Sequence, residues 1–320
     1  TAAATAANGR FPTTEPTSTQ FYVNQYGPVN ASGSTYVAYL FAHNNSDGEF
    51  GPDSDKDIIK CGSYTGNGST TGTVVNLGFE PQWLMIKRTD TGGAGYNWFI
   101  FDAMRGMPVG GADQYLSANL SDAEAGSSER FKITPTGFQL ASTSGSFNAS
   151  GGTYVYMAIR RGPLAVPTDA TKVFHVQQQS SGDTYSVGFP TDVAILARTG
   201  GYSINSMVGT RLNSGKYLVT SATDAEGSSG NAFIWDLQNS FDQNFSSSPE
   251  WVGWHWARAR GYFDVVAYTS NTTYPNTFSH NLGVVPEMIW IKRRDSTANW
   301  AVYHSALGNT KHLTLNSSAA

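Results

Sequence analysis

Gly78-Phe79-Glu80-Pro81-Gln82-Trp83-Leu84-Met85-Ile86-Lys87-Arg88 is the stretch whose reading decides the fold. A loop bearing glycine and proline leads into a short run of bulky apolar residues that ends on two basic ones. Such a run, bounded by turn residues, predicts a strand buried on both faces. It returns as Gly283-Val284-Val285-Pro286-Glu287-Met288-Ile289-Trp290-Ile291-Lys292-Arg293. A worn form lies between, at Gly188-Phe189-Pro190-Thr191-Asp192-Val193-Ala194-Ile195-Leu196-Ala197-Arg198. The intervals are roughly 110 and 95 residues, and a repeat of that period sets the architecture before any single motif is weighed.

The flanks repeat as well. Downstream, Asn97-Trp98-Phe99-Ile100-Phe101-Asp102 matches Asn299-Trp300-Ala301-Val302-Tyr303-His304. Gln114-Tyr115-Leu116-Ser117-Ala118-Asn119 then matches Lys216-Tyr217-Leu218-Val219-Thr220-Ser221 and Lys311-His312-Leu313-Thr314-Leu315-Asn316. Asn30-Ala31-Ser32-Gly33 leads into the alternating run Thr35-Tyr36-Val37-Ala38-Tyr39-Leu40-Phe41-Ala42-His43, which returns after Asn148-Ala149-Ser150-Gly151 as Thr153 to Arg161 and, loosely, at Trp251 to Arg260. Alternation of aromatic and small residues predicts strands with two differently filled faces. Each unit is expected to open on a strand, at Ile58–Cys61, Lys172–Val176 and Phe263–Tyr268. Residues 1–20 are small and polar and predict a surface crossing or one helical turn.

The expected fold is all-β, with three tandem β-sandwich-like repeats, one of them split between the N- and C-termini. Residues 1–57 would hold the C-terminal half of the split repeat plus an acidic insertion loop, 58–162 repeat one, 163–261 a divergent repeat two, and 262–320 the N-terminal half of the split repeat. Three outcomes stay open: closure within the chain, completion by a neighbouring chain through unpaired strand edges, or covalent continuation in a longer protein.

Composition agrees with this class. Charged residues are 14% of the 320, well below the roughly 25% usual in globular chains, while aromatics reach 13%. That aromatic content supplies a core and argues against disorder. A net charge of -4 leaves no electrostatic footprint for nucleic acid or an anionic membrane. No run approaches the roughly 18 apolar residues of a membrane span, so membrane insertion is not expected. The lone Cys61 allows no internal disulfide and is expected as a small buried residue.

Few residues suggest chemistry. Asp53, Asp55 and Asp57 alternate in the acidic loop as calcium ligands do, but Ile58 stands where an EF-type loop needs glycine and no downstream glutamate follows. A solvated insertion is the simpler reading, and calcium is the only cofactor the sequence leaves open. Trp98, Trp300 and Trp254 are candidate sugar-stacking residues if exposed, and core residues if not. Asp122 with Glu124, and Asp224 with Glu226, read as loop or cap groups rather than a glycosidase pair. The histidines form no metal-binding pair and no nucleophile elbow is present, so no enzyme is expected.

The motifs at Gly78–Arg88, Gly283–Arg293 and Asn30–His43, with Ile58 to Gly68, resemble a repeat of unassigned function found in tail-fibre-like structural proteins of phages, many of them marine. Residues 163–261 depart most from that pattern. The resemblance implies a non-catalytic structural protein of a virion appendage or an extracellular filament, located in the virion or outside the cell. Its expected partners are copies of itself or other virion proteins. A carbohydrate-binding adhesin that uses exposed tryptophans on a host-surface glycan is the alternative.

Overall fold

A computed structural model describes residues 9–43, 50, 51, 54, 56–162, 166–179, 184–199, 205–213, 215–228, 233–235, 237–244, 251–270 and 274–318. Within these residues the protein is almost entirely antiparallel β-structure, as the repeating apolar runs predict.

The first sandwich uses eight strands: β1 (Ile59–Thr65), β2 (Val74–Asn76), β3 (Pro81–Arg88), β4 (Phe99–Asp102), β5 (Leu116–Ser117), β6 (Phe131–Thr134), β7 (Gly137–Leu140) and β8 (Thr153–Arg160). One sheet runs β1-β8-β3-β4-β5 and the facing one β2-β7-β6. β3 is therefore an interior strand, hydrogen-bonded on both edges, which is why its sequence is a nearly unbroken apolar run. Leu84 and Ile86 point inward and are fully buried with Phe101, Phe131, Phe138 and Tyr154. Each such side chain contributes about 1.5–3 kcal/mol by leaving water. Phe101 and Phe131 meet edge to face at 4.9 Å, and Tyr64 stacks on Tyr154 at 4.9 Å. Cys61 is half-buried in β1, opposite Met157.

The second sandwich holds β9 (Phe174–Gln178), β10 (Thr184–Tyr185), β11 (Val193–Arg198), β12 (Met207–Thr210), β13 (Lys216–Val219), β14 (Gly227–Ser228), β15 (Phe233–Ile234), β16 (Phe241–Gln243) and β17 (Trp251–Trp256). Its sheets run β9-β17-β11-β12-β13-β14 and β10-β16-β15. Apart from the added edge strand β14, this is the strand order of the first sandwich. The worn anchor sequence thus occupies the same central place as β3. Its proline is displaced and its tryptophan gone, but the inward alternation survives in Ala194 and Leu196, both fully buried. The cross-strand pair Leu84–Ala158 of the first sandwich becomes Ala194–His255 in the second. A large residue has moved from one strand to its partner, so the volume of the layer is kept.

A third sheet holds only β18 (Met288–Ile291), β19 (Ala301–His304) and β20 (Leu313–Thr314). Its pairings Met288↔His304 and Val302↔Leu313 reproduce Trp83↔Asp102 and Ile100↔Leu116 of β3, β4 and β5. Here two sequence expectations fail. Tyr36 to His43 forms no strand, and neither does Val265 to Tyr268, with Phe263 making a single bridge to Ala259. The reason is mutual. In the first sandwich β8 lies between β1 and β3, and each strand exists through the hydrogen bonds of its neighbour. With the two halves apart, neither has a partner ladder. No helix forms in residues 9–20, and residues 1–8 lie outside the described set.

Candidate functional site

Two sites stand out: a charged joint between the sandwiches, and the open face of the third sheet.

The joint grows from short loops. Glu80 precedes β3 and Asp192 precedes β11, while Arg161 follows β8 and Arg258 follows β17. All arrive where one sandwich hands over to the next. The Arg258 guanidinium grips Glu80 with both terminal nitrogens, Nη1 lying 2.7 Å from Oε1, and its Nε donates to Asp264 at 2.8 Å. Asp192 accepts from Arg161 and from the Arg258 backbone N–H at 2.7 Å, with Arg211 Nε at 3.7 Å. Arg211 also donates to the carbonyls of Trp235 at 2.5 Å and Thr191 at 2.7 Å. Burial alone would raise the Asp192 carboxyl, but Arg161, Arg258 and Arg211 outweigh it and hold it below the usual carboxylate range. Burial likewise opposes the charge on Arg258, yet Glu80, Asp264 and Asp192 hold its proton more firmly than usual. Asp192 and Arg258 are thus held in their charged forms within a set of short ion pairs, and the arrangement is that of a clamp. An adjoining cleft of about 260 Å³ is lined by Arg160, Arg260, His280 and Asn281, among others.

The third sheet is fixed to the same body. Arg294 holds Glu226 through Nε and Nη2, both at 3.0 Å, and its Nη1 reaches the carbonyl of Val109 at 2.9 Å. Glu226, which closes Asp224-Ala225-Glu226, is thereby a docking group. Trp300 is 5% exposed and its Nε1 donates to the carbonyl of Val219 at 2.9 Å, so its ring faces protein. Its counterpart Trp98 is 41% exposed, although both share one local frame. In each, the backbone N–H of the tryptophan donates at 2.8 Å to the side-chain oxygen of an asparagine, Asn119 or Asn316. Trp254 is half-buried in β17.

Among the aspartates of the acidic loop, Asp57 is buried, whereas Asp53 and Asp55 lie outside the described residues. Among the described residues no group of three His, Cys, Asp or Glu is placed to hold a metal ion.

β18 is exposed on both faces of the third sheet: Met288 and Trp290 are 49% and 43% exposed on the outer one, although Val302 opposite Trp290 is buried. On the inner one, Ile289 and Ile291 are 37% and 44% exposed, where their counterparts Leu84 and Ile86 are at 0%. Residues 10–43 mirror that vacancy. Their Phe11 and Phe21, 58% and 48% exposed, stand in sequence where Phe131 and Phe138 fill the first core. The backbone of this segment is nevertheless already shaped. Asn24 N–H donates to the Arg10 carbonyl at 3.0 Å, as Ala141 does to Arg130 at 2.8 Å. A helical turn α1 (Gly27–Asn30) matches α2 (Gly145–Asn148). In both, a tyrosine hydroxyl accepts from a backbone N–H at 2.8 Å, Tyr36 from Ala31 and Tyr154 from Ala149.

The clamp was not anticipated from the sequence. Its signal was an acid just ahead of an anchor strand and arginines just past the alternating strand, but each alone looks like an ordinary loop charge. Asp113 and His255 were missed too. Asp113 is fully buried, and its Oδ2 accepts from the N–H groups of Arg130 and Phe131 at 2.5 and 2.9 Å. Burial is the first cause that pushes its carboxyl up to about 7. His255 is fully buried among Tyr185 and Phe241, and burial pulls it down to about 3.

The fold and its open face define an all-β protein built of sandwich units. The chain belongs to the family described as a domain of unknown function, DUF7483, which matches residues 1–163 and 170–320. No curated protein and no solved structure matches it.

Proposed function

We propose that this chain is a non-catalytic structural protein that assembles by β-strand completion, as a subunit of a phage virion appendage or an extracellular filament. One observation carries the assembly part. A half-sandwich with a bare apolar face and a complementary, pre-shaped half coexist in the described residues without pairing. An exposed apolar strand at a sheet edge recruits another strand. The virion or extracellular placement rests on the resemblance of the repeat motifs alone. Sedimentation of the purified chain over a wide concentration range tests the reading, with electron micrographs of the same sample. Growth from single chains to rods or fibres is expected, and single particles at every concentration would overturn it.

The exposure of Trp98 favours one second reading, a sugar-binding adhesin, because a solvent-facing indole is a ready stacking surface. Glycan-array binding that disappears in Trp98→Ala supports it. Equal binding by both proteins, or none by either, removes it.

A further inference from the structure

Resting on that assembly reading, we infer that the strand missing from the third sheet is Thr35–Ala42 of a second copy of this chain, docked on β18 in one definite register. The first sandwich supplies the template. There β8 pairs with β3 as Ile159↔Trp83, Ala158↔Leu84, Met157↔Met85, Tyr156↔Ile86, Val155↔Lys87 and Tyr154↔Arg88. Mapped through the sequence repeat, the same ladder is Phe41↔Met288, Leu40↔Ile289, Tyr39↔Trp290, Ala38↔Ile291, Val37↔Lys292 and Tyr36↔Arg293. A slip of one residue would turn Tyr36, Ala38 and Leu40 away from the core, so the hydrophobic pattern enforces this register.

Three details of the two halves fit each other. Arg88 donates through Nε to Asp90 at 2.7 Å and through Nη1 to the Gly145 carbonyl at 2.9 Å. Arg293 already makes the first contact, with Asp295 at 2.7 Å, and the Gly27 carbonyl of the incoming half stands where Gly145 does. Tyr64 stacks on Tyr154 and donates to the Phe147 carbonyl at 2.9 Å. Tyr268 is the residue in the place of Tyr64; it is 43% exposed and would meet Tyr36. Finally, Phe11, Phe21 and Leu40 bring the large apolar groups that the face around Ile289 and Ile291 lacks.

The chain's own copy of the segment is unpaired, but its C-terminal end is tethered to the first sandwich. His43, just past the strand, has its Nδ1 2.5 Å from the Cys61 carbonyl of the first sandwich. The third sheet is held on the second sandwich by Trp300 and Arg294. Among the described residues no strand pairing joins the two halves. Exchange between copies satisfies both, and because donor and acceptor are different surfaces the contact propagates head to tail.

The test uses full-length chains in a Cys61→Ser background. One carries Tyr39→Cys and the other Trp290→Cys; a second set carries Leu40→Cys and Ile289→Cys. Adjacent antiparallel pairs alternate in spacing, so one of the two sets falls on a close pair suited to a disulfide. On mixing and mild oxidation, a covalent dimer is expected from the matched chains and not from a Val37→Cys chain mixed with Ile289→Cys. Both cysteines placed on one chain should give a ladder of multimers. A doubly substituted chain that cross-links within itself overturns the inference, as does an absence of matched cross-linking. Tyr39→Pro should leave the sandwiches melting as before and weaken association by about tenfold or more, because proline removes a ladder donor. If the unsubstituted protein still forms fibres while the matched cysteines do not link, this pairing fails and the assembly reading stands; if it stays single throughout, both fall.

Discussion

The phenol of Tyr36 donates to the carbonyl oxygen of Gly27 at 2.6 Å, the contact that Tyr154 makes with Gly145 at 2.7 Å. Tyr154 sits in a finished core and Tyr36 is half exposed, so the turn is local and does not need the core to form. The same substitution should therefore act differently at the two places. Tyr154→Phe strips a hydrogen-bond partner from two backbone groups of the first sandwich and should cost about 1–3 kcal/mol in chemical denaturation. Tyr36→Phe should leave that denaturation midpoint unchanged and reduce self-association, read by sedimentation. Equal loss of stability in both variants would mean that the Tyr36 turn is already part of a folded core.

Glu80 and Arg258 form a buried pair across the handover from one sandwich to the next. Removing one partner strands a charge away from water. Glu80→Ala should destabilise by about 3–5 kcal/mol, and Glu80→Leu with Arg258→Met should recover much of it. Denaturant curves followed by tryptophan fluorescence check this, and a loss below about 1 kcal/mol in Glu80→Ala would show that the pair is solvated.

Asp113 and His255 give the two sandwiches opposite responses to pH. The Asp113 carboxyl sits near 7 in the fold and near 3.8 when released, so the folded state holds its proton more tightly. Its contribution is complete below about pH 4 and is lost as pH rises through about 7, at up to about 1.4 kcal/mol per pH unit. Asp113→Asn should flatten that slope in the first sandwich. His255 is depressed from 6.5 to about 3, so its contribution is present above pH 6.5 and is lost as pH falls toward 3. His255→Leu should remove this acid sensitivity. Melting at pH 4.5, 6 and 8 checks both, and parallel pH profiles for parent and variants would refute the assignment.

Ala194 and His255 face each other where Leu84 and Ala158 do in the first sandwich. Ala194→Leu alone overpacks this layer and His255→Ala alone leaves a hole. Together they rebuild the leucine–alanine pair. A double-mutant cycle should return a favourable coupling of about 0.5–3 kcal/mol, whereas strict additivity would mean that the two layers do not correspond.

Much of this protein was legible in its residues. The all-β class and the interior strands β3 and β11 follow from apolar runs closed by glycine and proline. The division into related units follows from the recurrence of Gly78–Arg88, because strand period and turn chemistry act over a few residues and survive even in the worn copy. Only the tertiary structure decided that Thr35–Ala42 lies unpaired, that Trp98 is exposed while Trp300 is buried, and that Glu80, Asp192 and Arg258 converge. Pairing, burial and ion contacts are properties of what arrives from distant parts of the chain, and related local sequences differ in them once their neighbours differ.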